Sequence, residues 1–160
     1  MKRTLVAGIG NVFLGDDGFG VAVAERLAKR SLPEGTRVVD FGIRGVHLAY
    51  ELSEPIDLLI LVDAAARDGA PGTLYVIDPD VDDGAPSRPE ADAHAMDPHA
   101  VLFAAKRMWG ILPPTRIVAC EPLALEEGVG LSEPVERAIE PAIALITELL
   151  SKEVAEREAR

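Results

Sequence analysis

The sequence holds a single cysteine, Cys120, among its 160 residues, so no internal disulfide can form and the fold owes nothing to oxidation. Long hydrophobic runs are missing too. The most hydrophobic stretch, Leu58 to Val62, falls far short of the roughly 20 residues that a membrane-spanning helix needs. Met1-Lys2-Arg3 leads directly into a strand-like segment, which is not the pattern of a signal peptide. These absences fit a cytoplasmic protein. Positive charge is also scarce: 16 basic against 27 acidic side chains give a net charge of −11. Such a chain repels nucleic acid phosphates and anionic lipid, so DNA, RNA and membrane partners are not expected, whereas a basic protein surface would suit it.

What is present is enough apolar material for one core. With 48% hydrophobic residues, a chain of this size is expected to form one domain spanning 1–160. Thr4 to Ile9 reads as a strand closed by Gly8 and Gly10, followed by a loop and a helix over Phe19 to Leu32. Thr36 to Phe41 reads as a second strand, Val46 to Leu52 as a short helix, and Asp57 to Asp63 as a strand buried on both faces. Gly72 to Ile77 is a fourth strand. Asp78 to Met96 lacks periodicity and is expected to be a long surface loop. Asp97-Pro98 opens a helix through Trp109, and Arg116 to Cys120 closes the sheet. From Ser132, a cap candidate, Val135, Ile139, Ile143, Ile146 and Leu150 mark an amphipathic terminal helix whose charged tail, 151–160, is expected to fray. Alternating strands and helices predict an α/β fold, a three-layer αβα sandwich around a mainly parallel, twisted five-stranded sheet.

In such sheets functional groups gather at the carboxyl ends of the strands. Asp16 and Asp17 follow the first strand and Asp63 ends the third, so these acids are expected on one edge. Neighbouring carboxylates raise each other's pKa unless a cation neutralises them, which suggests a metal or a proton-transfer task. The bland alternative is that Asp17 and Asp63 each cap a following helix. Of the three histidines, His94 lies in the long loop, His99 on the helix after it, and His47 beside a glycine loop. Imidazole with two carboxylates suits nickel, zinc or a similar divalent ion. The glycines at 8, 10 and 15 make a poor dinucleotide fingerprint: Asp40 comes too late, and a phosphate would face Asp16 and Asp17. A phosphoacceptor receiver also pairs acids after its first strand, but it needs a lysine that Ile117 to Pro122 does not offer.

Gly8-Ile9-Gly10-Asn11 and Gly15-Asp16-Asp17-Gly18-Phe19-Gly20 resemble the opening of the hydrogenase maturation endopeptidases. Leu58 to Ala64, Pro71-Gly72-Thr73, His94-Ala95-Met96-Asp97-Pro98 and Cys120-Glu121-Pro122 with Gly130-Leu131-Ser132 are similar to that family's later motifs, in order. The resemblance implies a protease that removes the C-terminal extension of a nickel-containing hydrogenase large-subunit precursor once nickel is inserted. Carried over by position, the metal-binding and catalytic residues are Asp17, where some members have glutamate, Asp63 and His94. Asp40, Gly42 and Gly45 fall in a loop implied to contact substrate, with Phe41 in place of a glycine. Nickel would be supplied by the substrate, and zinc or cadmium would be its surrogates in purified protein. The partner is the nickel-loaded precursor, and the protease itself is expected to be a monomer. A non-catalytic nickel checkpoint or chaperone for the same subunit is the alternative.

Overall fold

The computed structural model describes residues 2–79 and 98–159. In chain order the elements are β1 (Thr4–Ile9), a 3-10 turn (Gly15–Gly18), α1 (Phe19–Leu27), β2 (Thr36–Gly42) and α2 (Gly45–Glu51). They continue with β3 (Leu58–Ala64), β4 (Leu74–Ile77), α3 (Pro98–Trp109), β5 (Thr115–Cys120) and α4 (Glu133–Glu158). The sheet order is β2-β1-β3-β5-β4. The first four of these strands run parallel and β4 lies antiparallel on β5.

The strands are central because their side chains have apolar partners on both faces. Val6, Ile60, Val62 and Val118 pack with Phe19, Val23 and Leu27 of α1 and with Ile139, Ile143 and Ile146 of α4. On the other face Leu5, Ala7, Leu59, Leu61 and Ile117 meet Leu48 of α2 and Val101, Leu102 and Ala105 of α3. Two helices on each side make the expected three-layer sandwich. Leu59, Ile60 and Leu61 are fully buried, each contributing about 1.5–3 kcal/mol by leaving water.

Helix α1 stops at Leu27, five residues short of the expected Leu32. Lys29 and Arg30 donate to Arg26 and Leu27, tightening the chain into i−3 turns, and Leu32 precedes Pro33, a position that disfavours helix. Leu32 still packs against the core, but from a loop. At the other end, α4 remains helical past Ser151 to Glu158. Glu153 reaches back to Lys2, Oε2 to Nζ 2.6 Å, and joins the tail to the start of the chain.

Five residues, 110–114, separate Trp109 from Thr115, so α3 ends at the amino edge of the sheet. There Trp109 Nε1 donates to the Ala49 carbonyl at 2.8 Å. Twelve residues of helix, rising about 1.5 Å each, carry its first turn back to the carboxyl edge. The chain therefore resumes at Pro98 on the edge where β1 and β3 end. No described helix is long and apolar enough to cross a membrane.

Candidate active site

β1 and β3 pair in register, Gly8 opposite Val62, which sets the loop after β1 beside the end of β3. Gly10 lies between the two acids. Its φ is +140°, and a Cβ there would fall 1.9 Å from the carbonyl oxygen of Asp17 and 3.4 Å from Oδ1 of Asp63. A Cβ at position 10 would clash with the Asp17 backbone carbonyl while only touching the Asp63 carboxylate, and the positive φ likewise favours glycine.

Neither acid caps a helix. The N-cap of α1 is Gly18, with no side-chain cap bond, and the Asp17 Oδ2 instead accepts the Asn11 N–H at 2.7 Å. No helix follows Ala64 before β4. Asp63 is buried, 2% exposed, and its Oδ1 accepts the Ala64 N–H at 2.8 Å. Burial raises the Asp17 pKa above the usual carboxylate value, and the Asn11 hydrogen bond offsets only part of this. Asp17 is thus a half-buried acid whose charged form is disfavoured by burial.

The adjacent Asp16 is different in kind. It is 1% exposed, and its oxygens accept the N–H groups of Leu123, Ala124 and Ser132 at 2.8, 3.0 and 2.7 Å and the Ser132 hydroxyl at 2.8 Å. Burial alone would raise its pKa, but these hydrogen bonds outweigh burial and lower it. With nearly every lone pair engaged, it is a structural carboxylate rather than a ligand. The Ser132 hydroxyl expected to cap α4 is accordingly turned to Asp16, while its carbonyl accepts the Glu136 N–H. Glu121, 4% exposed, does the same for the loop before β4. Its carboxylate accepts the Arg67 and Gly69 N–H groups and the Tyr75 hydroxyl, each at 2.8 Å. The sequence marks Glu121 only as part of a motif, and Asn11 only as the residue after two glycines. Their roles depend on which amide comes near which carboxylate.

Asp40, Gly42 and Gly45 lie at the end of β2 and the start of α2. A cleft of about 280 Å³ opens there, lined by Asn11, Val12, Phe13, Asp40, Ile43 and Arg44 among others. Oδ1 of Asp40 is buried and has no hydrogen-bond partner among the described residues. Arg44 folds over this corner, Nε donating to the Phe41 carbonyl at 3.2 Å, its guanidinium carbon 6.0 Å from the centre of the Phe41 ring. Asn11 both lines the cleft and holds Asp17, so cleft and acid are neighbours. His47 is exposed on α2, and His99 is half-buried in the first turn of α3. His94, the rest of the expected loop from residue 80, and the expected helix cap Asp97 lie outside the described residues. Among the described residues no three His, Cys, Asp or Glu side chains group as a metal site.

Cys120 is buried at the end of β5. Burial first, then the charges of Asp16 and Glu121, push its thiol up to about 12, so it is not an attacking thiolate near neutrality. The native protein is expected to resist iodoacetamide at pH 8 and to take up the label only after denaturation, read by intact mass. Rapid labelling of the native form would mean that β5 opens.

Fold and geometry together define a small α/β domain with acidic residues gathered at its strand ends. The chain belongs to the hydrogenase maturation protease family (HycI), which residues 21–149 match. It is 34% identical to the hydrogenase 2 maturation protease of Escherichia coli over 149 residues, covering 88% of this chain and 86% of that one. The fold is similar to that of the hydrogenase maturating endopeptidase HybD from E. coli, with a TM-score of 0.76 and 30% identity, across 94% of this chain and 93% of that one. It is also similar to the hydrogenase 2 maturation peptidase from a Thaumarchaeota archaeon, at 0.72 and 31%, across 94% and 99%. The protein is thus a protease of hydrogenase maturation, and a hydrogenase large-subunit precursor is the substrate which that role implies.

Proposed function

We propose that this protease removes the C-terminal extension of a nickel-containing hydrogenase large-subunit precursor after nickel insertion, reading substrate-bound nickel through Asp17, Asp63 and His94. The observation that supports this best is the pair Asp17 and Asp63 flanking Gly10 at one sheet edge, with neither acid used as a helix cap. His94 precedes Pro98 by four residues in sequence, and Pro98 lies at the same edge. Two carboxylates and an imidazole are an O/N set that nickel accepts while keeping positions for other ligands. Held by Asp17, Asp63 and His94, such an ion would supply polarisation of a carbonyl and an anchor for the peptide. One of the carboxylates takes a proton from water, the oxygen adds to the scissile carbonyl carbon, and the proton goes to the departing amine as the C–N bond breaks. Asp40, Gly42 and Gly45 contact the peptide in the cleft beside Asp17. Zinc or cadmium would occupy the site as surrogates in purified protein. The enzyme acts as a cytoplasmic monomer.

The test mixes the purified chain with nickel-loaded and nickel-free precursor and weighs the products. Loss of a C-terminal fragment from the nickel-loaded form alone is the expected result. Binding without cleavage would favour a nickel checkpoint instead. Within the active protein, His94→Gln is expected to lose processing and His99→Gln to keep it, measured on the same precursor. The reverse pattern would move the ligand to His99.

A further inference from the structure

We propose that Asp16 is a positioning residue for this hydrolysis: its buried carboxylate staples the Gly15–Gly18 turn to the loop between β5 and α4 and so fixes where Asp17 presents its own. The inference rests on the protease reading above. Asp16 is engaged on every side. Its Oδ2 accepts from Leu123 N, Ala124 N and Ser132 Oγ and its Oδ1 from Ser132 N, while its own N–H donates to the Ala124 carbonyl at 2.9 Å. These partners are 107 to 116 positions away in sequence, so the contacts join two distant loops rather than one turn to itself. Only an ionised carboxylate accepts from so many donors at once, and bonds to a charged acceptor are about twice as strong as neutral ones.

The next residue is Asp17, held on its other side by the Asn11 N–H at 2.7 Å and with its carbonyl against Gly10. The turn is thus clamped between two anchors, the start of the β1 loop and the β5–α4 loop. Asp16 supplies the only side-chain bonds to the second anchor recorded among the described residues of the turn. The backbone bonds from Gly15 N to Gly128 O and from Asp16 N to Ala124 O remain without the carboxylate, so losing its four bonds loosens this anchor and lets Asp17 shift, without freeing the turn. A displacement of about 1 Å at a reacting centre costs roughly a hundredfold in rate. Glu121 supplies the comparison. It is a buried carboxylate with three donors to the four of Asp16, but it secures Arg67, Gly69 and Tyr75 and has no candidate site acid beside it in sequence.

The experiment compares steady-state processing of the nickel-loaded precursor by the parent, Asp16→Asn, Ser132→Ala and Glu121→Gln, with rates normalised to the folded fraction from circular dichroism. Asparagine turns an NH2 toward amides that need an acceptor, so Asp16→Asn is expected to lower kcat per folded molecule by about tenfold to a hundredfold with KM within about twofold. Ser132→Ala removes one donor of the set and is expected to lower kcat about threefold. Glu121→Gln is expected to melt at lower temperature with kcat per folded molecule unchanged. The proposal is overturned if Asp16→Asn keeps the parent kcat, or if Glu121→Gln loses as much as Asp16→Asn, which would be general loosening. Should Asp16→Asn fail to fold, Ser132→Ala decides: a lowered kcat supports the proposal and a parental one overturns it. An active parent with parent-like variants sinks this inference alone. A parent that leaves the precursor uncut sinks the protease reading and this inference with it.

Discussion

Asp63→Asn and Asp17→Asn are each expected to fold and to lose about 10²- to 10⁴-fold in precursor processing, the usual worth of a positioned acid or base. The substitutions keep the shape of the side chain. Asn at either position can still accept the amide that Asp accepts, Ala64 N–H for position 63 and Asn11 N–H for position 17. What disappears is the negative charge, which is the part that grips a cation and takes a proton from water. For Asp17 the change has a second, opposite signature. Because burial raises its pKa in the fold, the charged form costs stability whenever pH lies above the unfolded value of about 3.9. Below that value the group is protonated in both states and the cost vanishes. Asp17→Asn should therefore melt with the parent near pH 3 and no lower than the parent near pH 7, the gap opening as pH rises through the unfolded value. Scanning fluorimetry at several pH values and mass spectrometry of the precursor measure the two halves. Retained cleavage by both variants would remove these acids from the mechanism, and a lower melting point for Asp17→Asn at pH 7 would make Asp17 a structural acid.

The division between Asp16 and Asp17 marks how far the sequence could be read. β1 was legible to the residue because Thr4–Ile9 is apolar and ends in glycines, and β3 because Leu58 to Val62 is hydrophobic without alternation. Parallel pairing then brings Asp63 to the edge where the Gly10–Asp17 loop begins, so the meeting of these two segments follows from topology alone. The end of α1 was harder, since Leu32 keeps the helical spacing of apolar residues and only Pro33 signals the stop. Within the acid pair, spacing is silent. The two residues are chemically identical, and what separates them is which loop arrives beside each: Leu123, Ala124 and Ser132 at Asp16, Asn11 at Asp17. The same holds for Glu121, whose donors come from Arg67, Gly69 and Tyr75. Periodicity encodes burial, but satisfaction of a buried carboxylate is a tertiary fact.

Gly20→Ala is expected to cost a large part of the fold's stability, about 3 kcal/mol or more. In an exposed helix the same change stabilises by about 1 kcal/mol, because alanine is the better helix former. Here the sign reverses. Gly20 is in the first turn of α1, and a Cβ on it would lie 2.1 Å from the Val62 carbonyl oxygen and 2.4 Å from that of Ile9. Both obstacles are backbone atoms of the two strands at the middle of the sheet, held by parallel pairing on either side, so neither can turn aside as a side chain would. The helix itself has to lift. Phe19, Val23 and Leu27, all fully buried against the strands, would then lose contact together. For a chain of this length a loss of that size lowers the melting temperature by roughly 6–12 °C, which calorimetry would read directly. Lifting α1 also moves the turn that ends at Gly18, and with it Asp17, while Val62 is the residue before Asp63. Activity per folded molecule should therefore fall along with stability, unlike a cavity deep in the α4 side of the core, which would cost stability alone. A Gly20→Ala protein with the parental melting point would mean that α1 sits further from the sheet than these distances allow, and that the close seat of the helix is not what aims the acid.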